Sequence, residues 1–188
     1  WFRSQMMHFV FRLQPQVRAQ FAADREAIGF RSPIIGMHIR RGDKCRGARG
    51  PGIPPGLCTS IQPFLRAAER LRAEYGVASI FLASDDPGAL DACRTGGQFR
   101  CIAFHDELRG NNSVRSRTRA ALLNNSAATL AVMREVDTLA HCDFFIGTIG
   151  RSAVSTFSYE LLVARRGGEH VPFVSFGSWA WGMGGGFA

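Results

Sequence analysis

The segment His38-Ile39-Arg40-Arg41-Gly42-Asp43-Lys44 sets two guanidiniums, a carboxylate and an ammonium side by side, directly after the apolar run Pro33-Ile34-Ile35-Gly36-Met37. Of the 23 lysines and arginines in the chain, 22 are arginine, and Lys44 is the exception. A guanidinium is a planar fork that matches carboxylate or phosphate oxygens, whereas an ammonium is a compact point charge, so the two cation types suit different tasks. Together they could clamp a pyrophosphate, hold a sugar beside it and neutralise the charge that develops as a diphosphate departs. A surface cluster of ion pairs at the end of a strand is the plain structural alternative.

Two further polar segments follow apolar runs. In Ser84-Asp85-Asp86-Pro87 the adjacent carboxylates could hold a divalent metal beside phosphates. Neighbours in a tight turn point apart, however, and the arginines supply positive charge without an ion, so no metal is expected. Pro87 makes a helix-capping role natural for Asp85 or Asp86; ligand binding or orientation of the basic cluster is the functional alternative. In Gly147-Thr148-Ile149-Gly150-Arg151-Ser152, glycines let backbone approach phosphate, and a helix start offers free N–H groups and the positive end of its dipole. This is neither a Walker loop nor a GxGxxG fingerprint, and by itself it fits an ordinary strand-to-helix turn as well.

These segments need elements to position them. Apolar spacing predicts helix over residues 4–27, broken at Pro15, then a buried strand over 33–39. A Gly-, Pro- and Arg-rich loop follows over 40–59. Ser60 is a candidate cap for a helix running to Tyr75 and ended by Gly76. Strands are expected over 77–83, 99–104, 143–147 and 171–174, with helices from Pro87 to Cys93, Ser126 to Ala140 and Ser152 to Ala164. The arginine-rich stretch 105–125 reads as a long loop or partly helical insertion. Wholly apolar strands alternating with helices indicate an α/β, doubly wound, Rossmann-like parallel sheet. Ligands bind such sheets at the carboxyl ends of strands, where all three polar segments fall.

The 188 residues and 46% hydrophobic content fit a single domain, with 1–32 as helices leading into the sheet and 175–188 as an irregular tail. No apolar run approaches the roughly 20 residues of a membrane span, and the start at Trp1 suggests a fragment of a longer chain. A net charge of +8 predicts anionic partners without choosing among them. Zinc-finger and RNP-like patterns are absent and the 15 Phe fall mostly in apolar runs, so nucleic acid is not the expected partner. Five cysteines show no CxxC spacing; Cys45 and Cys58 flank a loop that a disulfide could staple. Sequons at Asn111 and Asn124 lean towards a lumenal or secreted protein.

The order and spacing of Trp1, Ser4-Gln5, Gly29-Phe30, Pro33 to Gly36, the His38 to Lys44 string, Leu82 to Pro87, Asp143-Phe144 and Tyr159-Glu160-Leu161 resemble the α-1,6-fucosyltransferase family. The resemblance covers most of the chain, and the HxRRxDK string is its most distinctive part. It implies the C-terminal, donor-binding half of a GT-B-like glycosyltransferase, with GDP-fucose as donor substrate, inversion at the anomeric carbon and no metal or other cofactor. Carried over by position, Arg40 and Arg41 would bind the diphosphate and support its departure, while Asp43 and Lys44 would contact fucose. His38 joins the substrate-binding set, Asp85 and Asp86 would shape the nucleotide side, and Ser152 would touch phosphate. Glu135 stands where the family has an aspartate that reads guanine, and a carboxylate of either length can accept two N–H donors. The resemblance further implies a glycan or glycoprotein acceptor and a Golgi-lumenal type II membrane protein, anchored through a segment outside this chain.

One departure bears on mechanism. The family's general base is a glutamate four residues after the motif lysine, and this chain has Ala48 there. General base catalysis contributes about 10²–10⁴-fold, so Asp43, a group from outside this chain or a different acceptor would have to compensate. Two other readings stay open: an α-1,2-fucosyltransferase, whose HxRRGD-type string Gly42 suits, and a non-catalytic nucleotide- or glycan-binding module.

Overall fold

The computed structural model describes residues 2–41, 60–104 and 126–176. Within these residues five strands, β1 (Ile35–Ile39), β2 (Ser79–Ser84), β3 (Arg100–Ile102), β4 (Phe144–Gly147) and β5 (Phe173–Ser175), form one sheet in the order β3-β2-β1-β4-β5. Every pairing is parallel. The chain builds outward from β1 to β3 and then crosses over to β4 on the other side of β1, so the topological switch lies between β1 and β4. This is the doubly wound sheet expected from the alternation of apolar strands with helices.

Among the described residues six helices accompany it: α1 (Phe2–Val10), α2 (Pro15–Ala27), α3 (Gln62–Tyr75), α4 (Pro87–Thr95), α5 (Ser126–Leu139) and α6 (Ala153–Arg165). Pro15 separates α1 from α2 by opening the second helix, where its missing N–H costs nothing. The α3 stripe of Phe64, Ala67, Ala68 and Leu71 is buried, and Gly76 ends the helix at φ +70°, a left-handed conformation open to glycine. Ser60 does not cap α3 in the expected way. The N-cap position is Ile61, and Ser60 Oγ accepts a bond from Gln62 N at 3.3 Å. The strands are mostly shorter than their apolar runs. The ends of those runs pack in connections: Ile34, Val77, Ala103, Phe104 and Val171 are all buried outside strands.

Side-chain alternation along β1 divides the core. Ile35, Met37 and Ile39 pack with α3 and α4, while Phe81, Ala83 and Phe145 face α5 and α6. Gly36 lies on the second face, where a Cβ would come within 3.0 Å of Cys142 Sγ and 3.2 Å of Leu139 Cδ2. Glycine here lets α5 lie close to the sheet. Asp143 fixes where β1 begins: its carboxylate accepts from Ile34 N at 2.9 Å and Ser32 Oγ at 2.8 Å, and pairs with Arg166 at 2.7 Å.

Between α2, α5 and α6, Asp137 is only 1% exposed and serves as an electrostatic hub. It pairs with Arg25 from α2 and, at 2.6 Å, with Arg165 from α6. His141 Nδ1 bonds the Asp137 carbonyl at 2.7 Å, and its Nε2 meets Arg165. Arg134 adds an ion pair to Asp24 at 3.2 Å and lies over the Phe104 ring at 4.1 Å. On the outer side of α6, Glu160 accepts from Ser4 at 2.6 Å and pairs with Arg3 at 3.1 Å, docking α1.

The structure contains a disulfide between Cys93 at the end of α4 and Cys101 in β3. The cysteine spacing gave no sign of it, because the pairing depends on a helix turning back into a strand. Cys45 and Cys58, the pair flanking the loop, lie outside the described residues. Cys142 is free and buried, and burial pushes its thiol pKa well up.

Two measurements check these contacts. Closing a loop with a separation of 8 residues stabilises by about 2.5 kcal/mol in the chain-entropy account. A Cys93→Ser/Cys101→Ser protein should lose roughly that much in denaturant unfolding, and an unchanged midpoint would contradict the bond. Burial, with Arg165 and Arg25 adding to it against Asp137, lowers the His141 pKa from 6.5 to about 4. The unfolded chain therefore takes up this proton first as pH falls, and stability should drop from about pH 6.5 towards pH 4. The drop between pH 7 and pH 5 should be smaller in His141→Gln; an equal drop would exclude His141 as its source.

Candidate functional site

The carboxyl ends of β1 and β2 are joined by polar bonds that the buried strands cannot make. Ser84 Oγ donates to Ile39 O at 2.8 Å and accepts from Asp86 N at 3.1 Å. Asp85 Oδ1 then accepts from Arg41 N at 2.7 Å, and Asp86 Oδ2 lies 3.3 Å from Arg41 Nε. The other Asp86 oxygen caps α4 through Gly88 N at 3.0 Å, with Pro87 in the first helical turn. Asp86 caps a helix, and the two carboxylates hold the backbone and side chain of Arg41. Among the described residues, no group of three His, Cys, Asp or Glu side chains is placed to hold a metal ion.

Arg40 is exposed and Arg41 half-buried as the chain leaves β1. Their placement follows from the strand itself. β1 is buried along its whole length, so the first positions that can carry solvated charge are those just past Ile39.

On the other side of the switch, β4 ends at Gly147 and the turn Thr148 to Arg151 leads into α6. Gly150 adopts φ +82°, and a Cβ there would meet nothing within 4 Å, so backbone conformation rather than crowding favours glycine. The turn is held by Thr148 O, which accepts from Arg151 N at 3.1 Å and Ser152 N at 3.0 Å, and by Gly150 N donating to Thr156 Oγ1 at 2.9 Å. Ser152 occupies the N-cap position of α6 but makes no side-chain cap bond. It is 4% exposed, and its Oγ has no partner among the described residues. The first-turn N–H groups of a helix also lack intrahelical acceptors. A buried hydroxyl and a helix amino end without its cap together form a site that an anion would complete.

His38 lies between the two sides. Its Nδ1 is 2.6 Å from Ser155 Oγ on α6, and the same oxygen accepts from Thr148 N at 3.1 Å. Ser155 is the residue that sequence reasoning missed, because nothing in its local pattern links α6 to β1. Glu135 is half-buried on α5. It stands one turn, about 5–6 Å along the axis, before Leu139, which packs at Gly36. Two residues of β1 cover a similar rise, which puts Glu135 at the height of His38. Asp43, Lys44 and Ala48 lie outside the described residues.

The chain matches the family model for the N- and catalytic domains of α-(1,6)-fucosyltransferase over residues 1–177. It is 25% identical over 162 residues to the α-(1,6)-fucosyltransferase of Drosophila melanogaster, covering 86% of this chain and 25% of that protein. Among solved structures, POFUT1 in complex with GDP superposes with a TM-score of 0.54 at 17% identity, over 88% of this chain and 47% of the other. POFUT1 in complex with GDP-fucose gives 0.51 at 16% identity, over 86% and 46%. The chain thus spans about a quarter of the fly protein and under half of each solved chain, and the structural likeness confirms the fold. By its match over nearly the whole length, the chain belongs to the α-1,6-fucosyltransferase family.

Proposed function

We propose that this chain is the donor-binding part of a fucosyltransferase that moves fucose from GDP-fucose to a glycan hydroxyl with inversion, in an α-1,6 linkage. The observation that carries the reading is the pair of anion-binding features facing the β1/β4 switch: Arg41 held by Asp85 and Asp86, and the α6 amino end with its buried, unpartnered Ser152 hydroxyl. The GDP and GDP-fucose complexes of POFUT1, which has the same fold, support a guanine nucleotide as the ligand.

In this reading Arg40 and Arg41 bind the diphosphate and stabilise its departure, while Ser152 and the first-turn N–H groups of α6 hold a phosphate oxygen. Asp43 and Lys44 contact fucose. His38 and Glu135, level with each other on facing elements, take the nucleotide side. Preorganisation is the physical advantage, since Arg41 is anchored at both backbone and guanidinium before the ligand arrives. No metal is assigned, because the cationic side chains perform its electrostatic task. The Cys93–Cys101 disulfide supports an oxidising lumen, in keeping with a Golgi protein anchored outside this chain and acting on N-glycans.

Ala48 favours a second reading, donor binding without turnover, because no carboxylate stands at the base position. Calorimetric titration of the full-length protein with GDP-fucose in EDTA, beside UDP-glucose, tests the first step. Selective GDP-fucose binding is expected, weakened by about 10–100-fold in Arg41→Ala, as loss of charge-assisted bonds implies. Ser152→Ala should cost less, about 2–10-fold. Lack of guanine-nucleotide preference would overturn the reading. Tight binding without fucose transfer to any glycan would select the non-catalytic one.

A further inference from the structure

We propose that Ser155 is a positioning residue for the donor site: its hydroxyl holds His38 in the tautomer that carries the proton on Nε2, which fixes the ring's hydrogen-bonding pattern on the nucleotide side. The nucleotide half of this inference rests on the donor-site reading above; the tautomer half rests on geometry alone.

His38 sits next to the last residue of β1 and is 6% exposed, while Ser155, in the first turn of α6, is fully buried. Among the described residues Ser155 Oγ has two polar contacts, Thr148 N at 3.1 Å and His38 Nδ1 at 2.6 Å. A backbone N–H can only donate, so the oxygen accepts from Thr148. Its own proton then needs an acceptor, and His38 Nδ1 is the atom in reach. Were Nδ1 protonated instead, the oxygen would accept twice and its hydroxyl proton would be stranded in a site closed to water. The penalty for an unmade buried bond corresponds to roughly a ten-fold or greater bias between the tautomers.

The surroundings preserve this arrangement. A Cβ on Gly147 would stand 2.9 Å from Ser155 Oγ and 2.7 Å from Phe145 Cε1, so glycine at the end of β4 keeps the hydroxyl's place open. Through one oxygen, Ser155 joins the end of β1 to the turn after β4, the two chain segments that meet at the topological switch.

The test is imidazole nitrogen NMR of the full-length protein labelled with ¹⁵N-histidine, with His38 assigned by its absence in His38→Gln. The expected spectrum has the His38 proton on Nε2. In Ser155→Ala the tautomers should mix or invert, and GDP affinity measured by calorimetry should fall about 5–10-fold with unchanged circular dichroism. A proton on Nδ1 in the unaltered protein overturns the proposal, and that spectrum decides even if Ser155→Ala does not fold. A His38 spectrum unchanged in Ser155→Ala also overturns it. Absence of GDP binding by the unaltered protein removes the donor-site reading and the nucleotide half of this inference, while the spectrum still decides the tautomer.

Discussion

The central strand has no face available to water. Ile35, Met37 and Ile39 are fully buried against α3 and α4, and Gly36 and His38 are buried towards α5 and α6. A strand enclosed in this way can carry charge only beyond its ends, because an unpaired ion inside the layers would cost several kcal/mol. The consequence is a separation of materials. Apolar residues fill the sheet, and ionic groups gather beyond its strands and between its helices.

Arginine meets carboxylate in two places. Between α2, α5 and α6, Arg25 and Arg165 converge on one carboxylate that is 1% exposed. Such a closed network holds α2, α5 and α6 in register and has little capacity left for a ligand. At the carboxyl edge, Asp85 and Asp86 hold Arg41, which is partly exposed, and the start of α6 adds positive potential across the switch. The first cluster is paired within the helix layer, and the second lies just past the end of β1.

Small residues link the architecture to the site. Gly36 admits α5 close to β1, against Leu139 and Cys142. Gly147 leaves room for Ser155, which joins His38 to Thr148. Ser84 and Asp86 fasten the β1 and β2 ends and start α4 from the same turn. The disulfide at the far end of α4 then ties that helix to β3. The carboxylates that hold Arg41 are therefore carried on an element fixed at both ends, which reduces the ordering left for ligand binding to accomplish.

Much of this was legible in the order of residues. Apolar runs alternating with 3.6-residue stripes determined a parallel α/β sheet, Pro15, Gly76 and Pro87 marked boundaries, and polar segments after three of those runs marked the carboxyl edge of the sheet. These are local properties, and short-range sterics and burial enforce them wherever the chain is. Side-chain chemistry at long sequence separation was not legible. The Cys93–Cys101 bond, the Asp137 hub and the Ser155–His38 contact each depend on which helix crosses which strand, and no spacing rule encodes that. The sequence by itself determined what kinds of group stand at the strand ends. Their partners came from the tertiary fold, because burial and the convergence of distant elements set which groups each charge meets.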